Sequence, residues 1–167
     1  MQAITTFLLW LESTPLALAI AESDWAFPLI EAIHVIALAL VVGTVSIVDF
    51  RLLGLASMSR SYRELAREVL PWTWIAFCLS VITGGLMFVT QAVAYFGNAA
   101  FRIKLVLLLL AGVNVLIFET IIARGAANWD HDLPVPLSGR IAAGLSLALW
   151  ISIVFFGRRI GFTMMPE

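Results

Sequence analysis

The segment that decides the fold is residues 28–52, which read PLIEAIHVIALALVVGTVSIVDFRL. Between His34 and Asp49 the segment is uncharged and mainly apolar. A bilayer has a hydrocarbon core about 30 Å thick, which roughly 20 helical residues cross, so this segment is long enough to span it. Ionisable side chains inside a bilayer are rare and usually functional. Glu31 and His34, near the start of the predicted helix, are therefore the first candidate site residues.

The composition of the whole chain predicts an integral membrane protein. Of its 167 residues, 62% are hydrophobic and 13% are charged, and the mean hydropathy is +1.01. Soluble domains are about half apolar and about a quarter charged. The formal net charge of −1 gives no basic surface for nucleic acid, and Cys78 has no partner for an internal disulfide. We interpret residues 1–167 as a single integral membrane domain.

Four segments are long and apolar enough to cross a bilayer: residues 28–52, 72–96, 100–123 and 139–160. Pro28 and Pro71 are predicted to begin helices, where a missing N–H costs little, and Ser138 is the candidate N-cap of the last span. A short charged surface helix is expected at 61–69. The predicted fold is an all-α antiparallel bundle of four transmembrane helices.

Residues 1–25 are predicted to form an N-terminal interfacial segment rather than a fifth span. The apolar stretch at 4–20 is interrupted by Glu12 and Pro15, which indicates two short helices. Trp10 and Trp25 are of the type that lies at membrane interfaces.

Lysine and arginine predict the orientation. The connections at 51–70 and 124–140 carry six arginines between them, and basic connections stay in the cytoplasm. We therefore expect a multi-pass protein of the bacterial cytoplasmic (inner) membrane with both termini outside. Four basic residues at the opposite ends argue against this orientation: Arg102, Lys104, Arg158 and Arg159.

The outer ends of the predicted spans bring four polar residues to a similar depth: Glu31, His34, Gln91 and Lys104. We predict that they line a ligand-binding pocket, with His34 as the candidate metal ligand. The alternatives for Lys104 are a closed ion pair with Glu31 that holds two helices together and snorkelling to the interface.

Four other polar residues are assigned structural roles: Asp49, Arg51, Asn114 and Glu119. Asp49 is expected to pair with a neighbouring arginine (Arg51, Arg124 or Arg140), and Asn114 to link helices by hydrogen bonding. Small residues recur on the fourth span at Gly144, Ala148 and Ser152. They predict close packing within the chain, in a homo-oligomer or in a larger membrane complex.

Several motifs together resemble an uncharacterised family of bacterial multi-spanning membrane proteins. They are SDWAFPLIEAIH at 23–34, DFRLLG at 49–54, FRIK at 101–104 and AGVN at 111–114. More distantly, the early histidine and the lysine heading a later span are similar to the membrane domain of copper-resistance protein D. That similarity implies a link to copper or haem b.

The residues themselves do not complete a cofactor site. Haem b held between two histidines needs a second intramembrane histidine, whereas His131 is predicted in a loop on the other side. Copper would have only His34 and Met87 as ligands. Since no catalytic motif occurs, we expect a non-enzymatic membrane protein that binds or passes a small ligand or metal ion, such as copper, at the outer pocket. The alternatives are an accessory subunit of a larger membrane complex, docking through the fourth span and Trp150, and a haem b electron carrier.

Overall fold

The computed structural model describes residues 2–56, 59–124 and 135–164, and within these ranges the secondary structure is helical. His131 and Gly125 lie outside the described residues. The helices are α1 Gln2–Glu12, α2 Pro15–Ala21, α3 Ala26–Leu53, α4 Tyr62–Thr90, α5 Ala92–Gly97, α6 Ala99–Ile117 and α7 Leu137–Thr163. A π-helical turn, Phe118–Ile122, continues α6.

Four long helices form the bundle: α3, α4, α6 with its π-helical turn, and α7. Each is long and apolar enough to cross a membrane. The largest interface joins α3 to α4, and α7 packs against both α6 and α3. Small buried residues, such as Ala37, Ala111 and Ala143, lie in these helices and permit the close approach typical of membrane helices. The predicted all-α bundle of four candidate spans is confirmed.

The beginning of α4 differs from the prediction. Ser61 and Glu64 form a capping box, in which Ser61 Oγ accepts from Glu64 N (3.1 Å) and Glu64 Oε2 accepts from Ser61 N (3.4 Å). The helix then runs without a break through Pro71. The predicted separate surface helix and the predicted start at Pro71 are therefore both wrong. The capping box satisfies the first N–H groups, and proline removes only one later hydrogen bond.

The far end of α4 is also shorter than predicted. The chain leaves helical geometry at Gln91 (φ −146°, ψ 48°), and α5 follows as a separate short helix. Asn98 then caps α6 by accepting hydrogen bonds from Ala100 N (2.9 Å) and Phe101 N (3.3 Å). The last span begins at Leu137 after the extended Pro136, so Ser138 lies inside the helix and is not its N-cap.

The two predicted N-terminal helices are present as α1 and α2, bent by 63° relative to each other. They pack against the end of the bundle where α3 and α6 begin, which we call the His34 end. Glu12 Oε1 accepts a hydrogen bond from Val93 N (2.9 Å) and so fastens α1 to α5. Their location at a membrane interface remains a prediction.

The π-helical turn at the opposite end, which we call the Asp49 end, directs two successive residues toward Tyr62. The buried Phe118 ring meets the Tyr62 ring edge to face, with centroids 5.5 Å apart. The Tyr62 hydroxyl donates to Glu119 Oε1 at 3.0 Å. Adjacent residues of an α-helix point about 100° apart. The wider π-helical turn allows both Phe118 and Glu119 to contact Tyr62.

Candidate functional site

A cavity of about 520 Å³ lies in the half of the bundle near the His34 end. Its walls come from α3 to α7, and most of them are apolar or aromatic. The polar or ionisable side chains that line it are His34, Ser80, Tyr95, Lys104 and the indole of Trp150. Such a volume with a few polar groups is typical of a small-molecule site.

The His34 ring is held by Thr83. The His34 Nδ1 and Thr83 Oγ1 atoms are 3.0 Å apart. The Thr83 hydroxyl also lies 2.7 Å from the Leu79 carbonyl; in the tautomer where its proton goes to that carbonyl, the Nδ1–H donates to Thr83. A neutral imidazole carries one N–H, and its other nitrogen, Nε2, is then an acceptor or a metal ligand.

Gly84 provides the space that the imidazole occupies. A Cβ atom at Gly84 would lie 3.0 Å from His34 Cε1 and 3.5 Å from His34 Nδ1. A side chain at this position would therefore displace the ring. Thr83 holds His34 through the hydrogen bond, and Gly84 leaves room for the imidazole because it has no side chain. Together they fix the position of His34.

Lys104 reaches the same cavity from α6. Its side chain runs past Gly157 of α7, where a Cβ atom would lie 3.7 Å from Lys104 Nζ. Among residues 2–56, 59–124 and 135–164, no carboxylate lies within 4.0 Å of this ammonium group. The closed Glu31–Lys104 ion pair considered from the sequence is therefore not formed.

Of the four predicted ligand-binding residues, His34 and Lys104 line the cavity. Glu31 and Gln91 are exposed and do not line it. Glu31 still acts on the cavity wall, because the pKa of Tyr95 is raised first by burial and then by the Glu31 charge. A role in ligand binding remains a prediction for all four.

Three aromatic rings close the cavity at the His34 end. Phe88 of α4 stacks on Phe101 of α6 with centroids 5.5 Å apart, and Tyr95 of α5 lies 5.4 Å from Phe101. These rings join α4, α5 and α6 where the helices end or begin. We call Phe88, Tyr95 and Phe101 the aromatic roof.

Trp150 forms part of the opposite end of the cavity. Its side chain is buried (7% exposed). The accessory-subunit interpretation required Trp150 to dock a partner, and a buried side chain is not available for that. Its indole N–H has no hydrogen-bond acceptor among the described residues. On the same helix, Gly139 and Ala143 are buried, whereas Gly144 faces open space.

The residues assigned structural roles lie toward the Asp49 end. Asp49 is buried, and its carboxylate is near the Ser146 hydroxyl, while Oδ2 has no partner within the described ranges. The expected pairing of Asp49 with an arginine is wrong: Arg51 Nε instead donates to the Arg60 carbonyl at 2.6 Å.

Asn114 and Glu119 link elements by hydrogen bonds. Asn114 Nδ2 donates to the Ala142 carbonyl at 3.0 Å and so joins α6 to α7. Glu119 accepts from the Tyr62 hydroxyl, as described above. Within the described ranges no three His, Cys, Asp or Glu side chains form a group that could hold a metal ion.

Sequence reasoning missed most of the cavity wall. Ser80 and Thr83 share one face of α4, as helical periodicity predicts. The aromatic roof carried no recognisable signal, because its importance depends on which helices are neighbours. The glycine pair at 84–85 in an otherwise bulky helix was the one available hint.

The structure combines four helices that are long and apolar enough to cross a membrane with a cavity of small-molecule size near one end of the bundle. The chain belongs to a family of unknown function, DUF6644, whose model matches residues 23–163. No curated protein and no solved structure matches it.

Proposed function

We propose that the protein is a non-enzymatic membrane protein that binds or passes a small lipophilic ligand in the cavity beneath the aromatic roof. The single observation that carries the proposal is that His34 and Lys104 line one cavity whose other walls are mainly apolar or aromatic. Binding sites for small molecules combine apolar walls with a few placed polar groups in this way.

The surroundings of the two basic residues support binding rather than a purely structural role. A structural lysine in a membrane helix is expected to meet a carboxylate, and Lys104 meets none among the described residues. The His34 ring is oriented through Nδ1, which leaves Nε2 for a ligand. Both side chains are positioned toward a common space.

We further propose that the protein lies in the bacterial inner membrane with the His34 end facing outward. The arginines in the connections at the Asp49 end support this orientation. The comparisons do not show the resemblance to copper-resistance protein D that the motifs suggest; as a proposal from the sequence, copper is the metal to measure, with His34 Nε2 as the ligand atom.

The proposal is tested by filling the cavity. Gly85 lines the cavity, and no heavy atom lies within 4 Å of a Cβ built on it. Gly85→Leu should therefore occupy space without disturbing packing. Gly112→Leu is the matched control, since its Cβ also meets open space and Gly112 does not line the cavity.

Native mass spectrometry of protein released gently from membranes measures the outcome. We expect a small-molecule adduct on the wild type and on Gly112→Leu, and its loss in Gly85→Leu. A wild type without an adduct, or an adduct retained equally by Gly85→Leu, would contradict the proposal. A Soret band would instead favour the haem b carrier, and a bare protein that copurifies with a membrane partner would favour the accessory subunit.

A further inference from the structure

α4 and α6 both line the cavity, and because they do not pack extensively against each other we take the gap between them as its lateral opening. These two helices form no extensive interface among the described helix pairs, whereas α3–α4, α6–α7 and α3–α7 are packed. The aromatic roof closes the His34 end. Val81 of α4 and Leu105 of α6 line the cavity and are 57% and 48% exposed, so apolar side chains flank the lateral opening.

The charge of the cavity selects the polar head of an occupant. The ionisable side chains of the lining are His34, Lys104 and Tyr95, and no described lining residue is acidic. Lys104 Nζ has no carboxylate within 4.0 Å among the described residues. A partly buried ammonium group is stabilised most by an anion with which it forms charge-assisted hydrogen bonds. A neutral ester or quinone would leave this charge uncompensated.

Depth and volume define the rest of the occupant. Trp150 lies two helical turns before Gly157 on α7, so it is about 10 Å farther from the His34 end than Gly157 is. Its indole therefore contacts the interior of the cavity rather than the polar head of an occupant near Lys104. A volume of about 520 Å³ suits a drug-sized molecule. It therefore favours one acyl chain over the two chains of a phospholipid.

We propose that the ligand is a single-chain amphiphile with a carboxylate head, such as a long-chain fatty acid, which reaches the cavity from the lipid between α4 and α6. Its carboxylate accepts hydrogen bonds from Lys104 Nζ near Gly157, and its chain leaves between Val81 and Leu105. This inference rests on the proposed function and specifies the ligand class for the same cavity.

Competition with radiolabelled palmitate on the full-length protein in nanodiscs of zwitterionic lipid tests the head. The competitors are palmitate, its methyl ester and decylubiquinone. We expect palmitate to compete roughly tenfold better than the ester, as a charge-assisted hydrogen bond provides. Equal competition by the ester, or better competition by the quinone, would overturn the assignment from wild-type protein alone.

In Lys104→Met, palmitate and its methyl ester should bind about equally well. Binding of the ester is measured directly with radiolabelled ester. Arg102→Met is the matched control, because Arg102 is an exposed basic residue of the same helix that does not line the cavity. It should keep the full preference. A preference that persists in Lys104→Met would refute the role of Lys104.

Gly85→Leu separates this inference from the proposed function. One outcome is that Gly85→Leu abolishes binding of all three probes while the wild type binds palmitate and its ester equally well. In that case the cavity is the binding site, but the assignment of a carboxylate ligand fails. If Gly85→Leu binds palmitate as well as the wild type does, binding lies elsewhere and both proposals fail.

Discussion

Replacing Gly84 with alanine directly tests the packing of the His34 ring. The added Cβ would lie 3.0 Å from His34 Cε1, which is too close for a methyl group and a ring carbon without displacement. The ring is also bonded to Thr83 at 3.0 Å, so moving it weakens that hydrogen bond. The substitution therefore changes the candidate site without removing any of its polar atoms.

Opposing effects decide the size of the change. Alanine exceeds glycine in helix propensity by about 1 kcal/mol, which favours the variant. Overpacking costs about 1–3 kcal/mol, and losing the His34–Thr83 hydrogen bond costs about 1 kcal/mol. We expect Gly84→Ala to lower the free energy of unfolding by about 1–3 kcal/mol in sum. Gly43→Ala, whose Cβ meets no heavy atom within 4 Å, should raise it slightly.

Chemical unfolding in mixed micelles, with and without His34→Ala, provides a double-mutant cycle. Without the imidazole the clash is gone, so Gly84→Ala should become neutral or stabilising, with a coupling energy of at least about 1 kcal/mol. An equal effect of Gly84→Ala in both backgrounds would refute the reasoning. So would a Gly43→Ala variant that is destabilised as strongly as Gly84→Ala.

Three further predictions concern the cap, the helix link and the phenol. Asn98→Ala removes the cap of α6 and should lower the free energy of unfolding by about 1 kcal/mol. Asn98→Asp keeps the capping oxygen but loses the Nδ2–H that donates to Thr163 Oγ1 (2.8 Å), so it should be destabilised less than Asn98→Ala; chemical unfolding in micelles compares them. Asn114→Leu removes the hydrogen bond to Ala142 and should cost roughly 0.6–1.7 kcal/mol in the same assay; no loss would show that this link contributes nothing. In a variant whose single tyrosine is Tyr95, absorbance titration should show ionisation above the usual pKa of about 10, because burial and Glu31 raise the pKa of Tyr95. Glu31→Gln should lower this pKa. Since the folded-state pKa is the higher one, the associated stability is complete below about pH 10 and is lost as pH rises through the folded pKa.

The helices were predictable where composition alone decides them, and their ends were not. Four apolar segments of sufficient length correspond to the four long helices that could cross a membrane. The break at Gln91 has no proline or glycine to indicate it, and Pro71 indicated a start that the capping box at Ser61 overrides. Local hydrogen bonds of side chains to the backbone decide the start at Ser61, whereas no side-chain cap marks the break at Gln91.

The shared depth of His34 and Lys104 was predictable, and the exclusion of the other two predicted residues from the cavity lining was not. His34 and Lys104 share a depth, which follows from their positions near the starts of two parallel spans. Glu31 lies nearly one turn before His34, so it lies outside the cavity lining. Gln91 lies where α4 ends, so helical periodicity does not apply to it. The sequence alone does not give whether Trp150 faces lipid or the interior, because this depends on which helices lie next to α7.

The π-helical turn makes chain length itself part of the structure at the Asp49 end. Such a turn holds one residue more than an α-helical turn. Deleting a residue between Phe118 and Ile122 would let the turn revert to α-helix, in which adjacent residues point about 100° apart. Phe118 and Glu119 could then no longer both face Tyr62. Insertions and deletions are usually tolerated in loops, yet here the spacing within a helix is as specific as any side chain in it.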